Sequence, residues 1–385
     1  MIYLDNAATS FPKPEVVYQA MDRFARRCLA NPGRAGHSMA LAAERELDEA
    51  RHALNRFFSG AAPQRWIFTL NGTDALNMAI KGILQDGDHV VTTDLEHNSV
   101  SRPLQALELA GKITLTRVAS VDGYLSPEDL EAALRPNTSL VVMTHAANAT
   151  GTVQPIERIA PLVRSSGALL LLDAAQTAGV IPIDLSTTPI DLLAFPGHKA
   201  LYGPTGTGAL YVGPRTDGRI RPWREGGTGG DSSSPTQPAE LPYLLEGGTP
   251  NVLGISGLRA GLGWVSERGP EVLRSHEISL LEPVVEWAEK RSGGWKIAGQ
   301  WDPAAHVGAL SLIPPPGLSP AEVGSILDVS FDIAVRPGLH CAPYLHRALG
   351  TFPQGTLRMS PGPFSTIRDI EELLQALTAV TEAAV

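Results

Sequence analysis

The chain of 385 residues has few of the features that mark membrane, nucleic-acid-binding or disulfide-rich proteins. Its apolar runs fall short of the roughly 18 residues needed to span a bilayer, and its first residues lack the basic and apolar regions of a signal peptide. The net charge of −9 disfavours nucleic acid or an anionic membrane as the main partner. The two cysteines, Cys28 and Cys341, are too far apart in sequence to indicate a disulfide framework or a metal site. We therefore expect a globular, cytoplasmic protein without a metal centre.

Lysine is also scarce. The chain has six lysines, and arginine supplies its other basic residues. One of them, Lys199, follows the apolar run 190–194 and precedes the glycine-rich segment 203–208. An ε-amine can lose its proton and form a Schiff base, which a guanidinium cannot do. A lysine on a turn is usually only a surface residue, so the interpretation of Lys199 depends on its neighbours.

The middle of the chain alternates short apolar runs with helical stretches. Near-continuous apolar runs are typical of parallel strands covered on both faces, so the pattern predicts an α/β fold with a mainly parallel sheet flanked by helices, plus a smaller α+β domain. The predicted strands are Trp66–Thr69, His89–Thr93, Ser139–Met143, Ala168–Leu172 and Asp191–Phe195, with candidates near 307–313 and 331–336. The predicted helices include Asp74–Leu84, Ser126–Leu134, Ile255–Arg268 and Glu271–Arg291.

The length indicates two domains. We expect a large, cofactor-binding domain over residues 15–253. Residues 1–14 and 254–385 would form the small domain, which carries Cys341 and Arg358. Residues 225–250 are rich in glycine, serine and proline, a composition that predicts a long functional loop rather than a further domain.

The residues that follow the predicted strands form a chemical set. In open α/β sheets the ligand binds outside the carboxyl ends of the strands. Gly72 and Thr73 open a helix whose N–H groups and hydroxyl suit a phosphate, although the same sequence is also an ordinary helix cap. His97 can stack on a planar ligand, although a loop histidine is more often only solvated. The later strands are followed by Asn148, by Asp173 and by the pair His198 and Lys199.

Asp173 ends a run of four leucines, where a buried charge needs a partner or a function. A phosphate site, a stacking ring, an amide, a buried carboxylate and a Schiff-base lysine are together what pyridoxal 5'-phosphate requires. The carboxylate keeps the pyridine nitrogen protonated, so that the ring can accept electrons. The set therefore predicts pyridoxal phosphate as the cofactor.

Four motifs along the chain are specific enough to indicate a family: Asp173-Ala-Ala-Gln176, Gly197-His-Lys199, Gly247-Gly-Thr-Pro-Asn251 and Arg336-Pro-Gly-Leu-His-Cys341-Ala-Pro343. With them the chain resembles the class V aminotransferase superfamily of pyridoxal phosphate fold type I. Within that superfamily it resembles the cysteine desulfurases, nearer the group II, selenocysteine-lyase-like branch. The resemblance extends over essentially the whole chain, from Tyr3–Thr9 to Leu357–Met359.

The resemblance implies roles for individual residues. Lys199 would hold the cofactor as a Schiff base and abstract the substrate α-proton. The other cofactor contacts would be Asp173 at the pyridine nitrogen, Gln176 at the ring hydroxyl, His97 stacked on the ring, Thr73 and His198 at the phosphate, and Thr249 from the second subunit of a homodimer. The substrate contacts would be Asn148 and Arg358 at the carboxylate, with His37 of the motif Arg34-Ala-Gly-His37 near the pocket.

Cys341 distinguishes between activities. Its turn, Pro337–Pro343, leaves a cysteine accessible, whereas Cys28 is interpreted as a small buried apolar residue. His340 and Arg336 favour the thiolate, which is the attacking form. A metal site from Cys341, His340 and His346 would lack further ligands.

In the family this position takes sulfur from the substrate as a persulfide. We therefore predict a pyridoxal-phosphate-dependent cysteine desulfurase that converts L-cysteine to L-alanine and passes sulfur to an acceptor protein. The alternatives are a selenocysteine lyase, another class V aminotransferase or epimerase activity, and a cofactor-binding scaffold or sulfur-relay protein without turnover.

One position departs from the family pattern. Many relatives have a serine or threonine two residues before the His-Lys pair, and this chain has Pro196 there. Proline removes a hydroxyl and a backbone donor from the predicted phosphate site. We expect either weaker cofactor binding or compensation by the loop of Gly72 and Thr73.

Overall fold

The computed structural model describes residues 1–33, 36–228, 233–290 and 294–383. Parts of three sequence predictions lie outside the described residues. They are Arg34 and Ala35 of the His37 motif, residues 229–232 of the predicted loop, and Arg291 at the end of a predicted helix. The described parts of segment 225–250 contain neither helix nor strand.

Helices and strands alternate through most of the chain, and no described helix combines the length and apolar character needed to cross a bilayer. The strands are β1 Ile2–Tyr3, β2 Trp66–Thr69, β3 Asp88–Thr93, β4 Ile113–Val118, β5 Thr138–Thr144, β6 Leu169–Asp173, β7 Leu192–Pro196, β8 Gly208–Val212, β9 Lys296–Ile297, β10 Leu310–Ile313, β11 Ile333–Ala334, β12 Arg336–Gly338 and β13 Thr356–Met359. The α-helices are α1 Glu15–Arg27, α2 Ser38–Phe57, α3 Gly72–Ile83, α4 Asn98–Leu109, α5 Pro127–Ala133, α6 Ile156–Ser166, α7 Val252–Arg268, α8 Pro270–Lys290, α9 Pro320–Phe331, α10 Pro343–Ala348 and α11 Ile367–Ala383.

A seven-stranded sheet forms the centre of the large domain, in the order β2-β8-β7-β6-β5-β3-β4. Only β8 in this sheet is antiparallel to its neighbours, so the expected mainly parallel α/β sheet is confirmed. The five predicted apolar runs coincide with β2, β3, β5, β6 and β7. Two strands of this sheet were not predicted: β4 is a half-exposed edge strand rich in polar residues, and β8 directly follows a glycine-rich loop.

Helices cover both faces of this sheet, and the leucines of β6 show why its strands are so apolar. Leu170 and Leu172 pack into one buried cluster, whereas Leu169 and Leu171 pack into another on the opposite face. Burial of each such side chain contributes about 1.5–3 kcal/mol. A strand buried on both faces therefore has room for a polar side chain only at its end, and in β6 that residue is Asp173.

The small domain is built on an antiparallel sheet in the order β12-β13-β10-β9, with α8, α9 and α11 packed around one apolar core. Strand β1 pairs with β11, which joins the N-terminal segment to this domain. The division after residue 253 stays a prediction. Helix α7 contacts α1 and α2 extensively, an arrangement that favours a boundary near Gly269, between α7 and α8.

The sheet topology determines where the predicted site residues meet. Strands β2, β3, β5, β6 and β7 run in the same direction, so their carboxyl ends share one edge of the sheet. The small domain supplies β12, β13 and the turn before α10 at the same place, as the contacts below show.

Candidate active site

Lys199 lies in the turn that follows β7. Its backbone carbonyl accepts hydrogen bonds from the Tyr202 N–H at 2.8 Å and the Ser10 hydroxyl at 2.9 Å, which fix the turn from two sides. Removal from water and the charge of Arg358 lower the pKa of Lys199 to about 8, against the opposing effect of Asp173. An amine with this pKa is free of its proton near neutral pH far more often than an ordinary lysine.

Asp173 is the last residue of β6 and is 3% exposed. Burial raises the pKa of its carboxyl group, whereas the Ala175 N–H, which donates to it at 2.9 Å, and the charge of Lys199 both lower that pKa. Asp173 and Lys199 therefore lie close enough to affect each other's protonation. Gln176, three residues on, donates from Nε2 to the Ala7 carbonyl at 3.2 Å, which ties this strand end to the N-terminal segment.

His97 caps the N-terminus of α4. Its Nδ1 accepts the Ser99 N–H at 3.0 Å, so a neutral ring carries its proton on Nε2. Burial and the positive charges of Lys199 and Arg336 lower the pKa of His97 to about 4. The ring is therefore neutral at physiological pH. The Ser99 hydroxyl lies 2.8 Å from His97 Nδ1 and 2.7 Å from Thr73 Oγ1, and so connects two of the predicted contacts.

The N-terminus of α3 has the form of an anion site. The Asn71 side chain accepts the Asp74 N–H at 2.8 Å, and the first N–H groups of the helix, those of Gly72 and Thr73, have no partner within the helix itself. A Cβ atom on Gly72 would lie 3.0 Å from Cδ of Pro196. Pro196 therefore packs directly against the first turn of α3 and holds it by contact.

His198 completes this end of the site. Its Nδ1 is buried and has no hydrogen-bond partner among the described residues, which marks a place for a polar ligand atom. Burial and the charges of Lys199 and Lys13 lower the pKa of His198 to about 4. Its carbonyl accepts a hydrogen bond from Lys13 Nζ at 2.7 Å, and desolvation lowers the pKa of Lys13 to about 8.

Arg358 lies in β13, with none of its side chain exposed. Nη2 donates to Asp5 Oδ1 at 2.7 Å, and Nη1 donates to the Asn148 carbonyl at 2.9 Å. Within the described part of the chain, Arg358 Nε and Asn148 Oδ1 are buried without a hydrogen-bond partner. A buried guanidinium with an unused donor next to an unused amide oxygen suits a ligand that carries both a carboxylate and an amine.

Backbone hydrogen bonds hold the segment of Cys341 against His97 and Asn148. Its carbonyl accepts the N–H of Asn98, the residue after His97, at 2.7 Å, and the carbonyl of His340 accepts a hydrogen bond from Asn148 Nδ2 at 2.6 Å. His340 and Cys341 both have positive φ, at +49° and +60°, a conformation that a non-glycine residue adopts only where its surroundings enforce it. The Arg336 guanidinium reaches Cys341 Sγ at 3.9 Å.

Two predicted residues lie apart from this centre within the single chain. His37 is exposed, and its ring caps α2 by accepting the Ala40 N–H at 3.2 Å. Thr249 is exposed and lines a cavity of about 600 Å³ that shares no lining residue with the cavity beside Lys199. The roles of both residues stay predictions.

Three contributors were not predicted as site residues. Asp5, the counter-ion of Arg358, lies inside the motif Tyr3–Thr9. The signal that could have identified it as a site residue was an acidic side chain directly after the apolar N-terminal residues. Ser99 and Asn98 follow His97 directly, but only the fold shows that one joins two site residues and the other holds Cys341. In the described ranges, no group of three or more His, Cys, Asp or Glu residues is arranged to hold a metal ion.

Comparison with known proteins identifies the relatives of this arrangement. The family described as aminotransferase class-V matches residues 2–373. A probable cysteine desulfurase of Methanothermobacter thermautotrophicus is 34% identical, over 98% of this chain and 94% of the relative. The apo structure of the cysteine desulfurase from Thermococcus onnurineus NA1 superposes with a TM-score of 0.92 at 30% identity, covering 99% of this chain and 95% of that one. The cysteine desulfurase CsdA of Escherichia coli, in an S-sulfonic acid form, gives a TM-score of 0.88 at 28% identity, covering 100% and 95%.

Proposed function

The chain belongs to the class V aminotransferase family, and from this premise we propose that it is a cysteine desulfurase, which converts L-cysteine to L-alanine and transfers the sulfur to Cys341. The observation that carries the proposal is the docking of Cys341 beside His97, through the 2.7 Å hydrogen bond to the Asn98 N–H. Arg336, which contacts Cys341 Sγ, also lowers the pKa of Lys199 and His97. These effects of Arg336 support the assignment of the cysteine, the lysine and the histidine to one site.

Pyridoxal 5'-phosphate fits the groups that this site leaves unpaired. The buried carboxylate of Asp173 and the buried, unpartnered Nδ1 of His198 would be costly without a ligand. When bound, the cofactor supplies an electron sink for cleavage of bonds at the substrate α- and β-carbons. The residues that would hold it are Lys199 at the aldehyde carbon, Asp173 at the pyridine nitrogen, Gln176 at the ring hydroxyl, His97 on the ring face, and Gly72, Thr73 and His198 at the phosphate.

Arg358 and Asn148 would orient the substrate carboxylate. Arg358 keeps its Nε donor unused, and its charge is not lost by neutralisation, because a guanidinium stays protonated. Asp5 and the Asn148 carbonyl hold the guanidinium in place from the other side. The substrate amine and α-carbon are then presented to Lys199, whose amine takes the α-proton. With a pKa of about 8, roughly one in ten Lys199 amines is unprotonated at pH 7.

Sulfur transfer uses Cys341 as the nucleophile. Its thiolate sulfur attacks the substrate sulfur, so that an S–S bond forms while the C–S bond breaks and its electron pair stays with the substrate β-carbon. That carbon then takes up a proton, which gives alanine, and Cys341 carries a persulfide. The fixed backbone of His340 and Cys341 keeps Sγ in position for this attack, as proximity catalysis requires.

The test compares the holoenzyme with its Cys341→Ala variant. With L-cysteine we expect an unchanged shift of the visible cofactor band and a drop in alanine release of at least about 100-fold, whereas Cys28→Ala should match the wild type. Lys199→Ala should lose the visible band. Alanine release from cysteine by Cys341→Ala at the wild-type rate would overturn the proposal. If that variant releases alanine only from selenocysteine, the enzyme is a selenocysteine lyase.

The proposal includes a cytoplasmic homodimer that passes persulfide sulfur to an acceptor protein. Its support is the exposed Thr249, which lies away from the Lys199 site of its own chain. If each subunit lends Thr249 to its partner, mixing Lys199→Ala with Thr249→Ala chains creates dimers with one complete site. Those mixtures should recover wild-type cofactor affinity in that site. No recovery in a confirmed mixed dimer would exclude sharing of Thr249.

A further inference from the structure

A small cavity of about 30 Å³ lies beside Lys199, between the two domains. Lys199, Gln176 and Tyr202 line it from the large domain, and Glu277 of α8 and the turn 307–309 line it from the small domain. One water needs about 10–15 Å³ of such volume, so the cavity holds about two waters. Among the described lining residues, the titratable groups are Lys199, Tyr202 and Glu277.

Glu277 is an unusual group for a buried position on a helix. It is 8% exposed, and no hydrogen bond or ion pair to its carboxyl group is found within the described residues. The carboxyl packs on Gly308, where an added Cβ atom would lie 2.5 Å from Oε2. A buried carboxyl without protein partners is costly unless water or a proton satisfies it, and the adjoining cavity can supply that water.

The electrostatic surroundings keep Glu277 protonated near neutral pH. Burial raises the pKa of Glu277 to about 8, and the charge of Arg274, one turn earlier on α8, opposes this only in part. The Arg274 guanidinium donates hydrogen bonds to the backbone carbonyls of Pro303, Ala304 and His306. Across the cavity Tyr202 stays a neutral phenol, because burial and Glu277 raise its pKa.

We propose that Glu277 is a proton-relay residue for Lys199, acting through the water in the cavity between the domains. The proposal rests on the function proposed above, in which the β-carbon of the substrate gains a proton when its C–S bond breaks. Lys199, an ammonium group after it has taken the α-proton, delivers that proton to the β-carbon and becomes a neutral amine. The neutral carboxyl of Glu277 then gives its proton through water to this amine, leaving a carboxylate and an ammonium group. Lys199 returns this second proton to the α-carbon, and Glu277 regains a proton from the solvent.

The experiment follows exchange of the α-hydrogen of L-alanine in D₂O by the holoenzyme, a reaction that needs Lys199 but neither Cys341 nor sulfur. We expect Glu277→Gln to slow exchange about tenfold with little change in KM. Glu286→Gln, an exposed position on the same helix, is the control and should match the wild type. Unchanged exchange in Glu277→Gln would refute the relay, whereas no exchange by the wild type would refute the proposed function instead.

A second readout needs no cofactor. The infrared difference spectrum of the wild-type apoenzyme minus Glu277→Gln should show a protonated carboxylic acid at pH 6.5 that disappears above pH 9. The absence of that band would overturn the proposal. If Glu277→Gln fails to fold, Ala309→Val, which fills the cavity from another lining position, should produce the same slowing of exchange. Wild-type exchange in a folded Ala309→Val variant would contradict the water path.

Discussion

The ion pair between Arg358 and Asp5 gives the sharpest test of how the site is built. Asp5→Asn keeps the size of the side chain and removes its charge, leaving Arg358, which has no exposed area, without its counter-ion. With charge centres about 4 Å apart, Coulomb's law at an effective dielectric constant of 20 gives about 4 kcal/mol. Breaking a buried pair on one side typically costs 3–5 kcal/mol. Because Asp5 is 22% exposed, we expect the free energy of unfolding to fall by about 3 kcal/mol.

The assay is urea unfolding of the apoenzyme, followed by tryptophan fluorescence, since Trp287, Trp295 and Trp301 pack in the small domain next to β13. Glu372→Gln breaks the exposed pair with Arg368 and should change stability by less than about 0.5 kcal/mol. In the holoenzyme, Asp5→Asn should also raise KM for cysteine, because the guanidinium loses one of its two anchors. A loss of stability below about 1 kcal/mol would refute the reasoning that Arg358 depends on Asp5.

Three further predictions concern single contacts. Asn98→Pro removes the N–H that holds the Cys341 carbonyl, at a helix position where proline is well tolerated. Sulfur transfer should fall up to about tenfold, while α-hydrogen exchange of alanine should persist. Loss of both activities would point to a damaged fold. Gly72→Ala places a Cβ atom 3.0 Å from Pro196 and should weaken cofactor binding in titrations of the apoenzyme. The control Gly263→Ala, in open space on α7, should leave cofactor affinity unchanged. Glu277 keeps its proton up to about pH 8 in the folded state, but only up to about pH 4.5 in the unfolded state. Its contribution to the free energy of unfolding therefore falls as the pH rises from 4.5 to 8, by at most about 5 kcal/mol. Glu277→Gln should therefore lose less stability than the wild type between pH 5 and pH 9 in urea unfolding, and equal losses would contradict the raised pKa.

Much of this arrangement follows from local sequence patterns. A strand buried on both faces must be apolar along its length, so the runs before Asp173 and Lys199 identified strands and their chemically active ends together. The same rule could not find β4, whose edge position leaves polar residues half-exposed, or β8, which begins directly after a glycine-rich loop. The packing partners of α7 were equally out of reach, because its contacts with α1 and α2 join segments that are far apart in the sequence.

The sequence by itself determined the chemical inventory: one lysine after a strand, one carboxylate after another, and one cysteine in a turn that has no packing reason to contain it. Only the tertiary structure decided which of these residues meet. It joined Asp5 to Arg358 across 353 positions and seated Cys341 on the N-terminus of α4 beside His97. It also placed Glu277 at the cavity beside Lys199. The physical reason is that these contacts depend on the docking of the small domain on the strand ends of the large sheet, and no local pattern of residues encodes that docking.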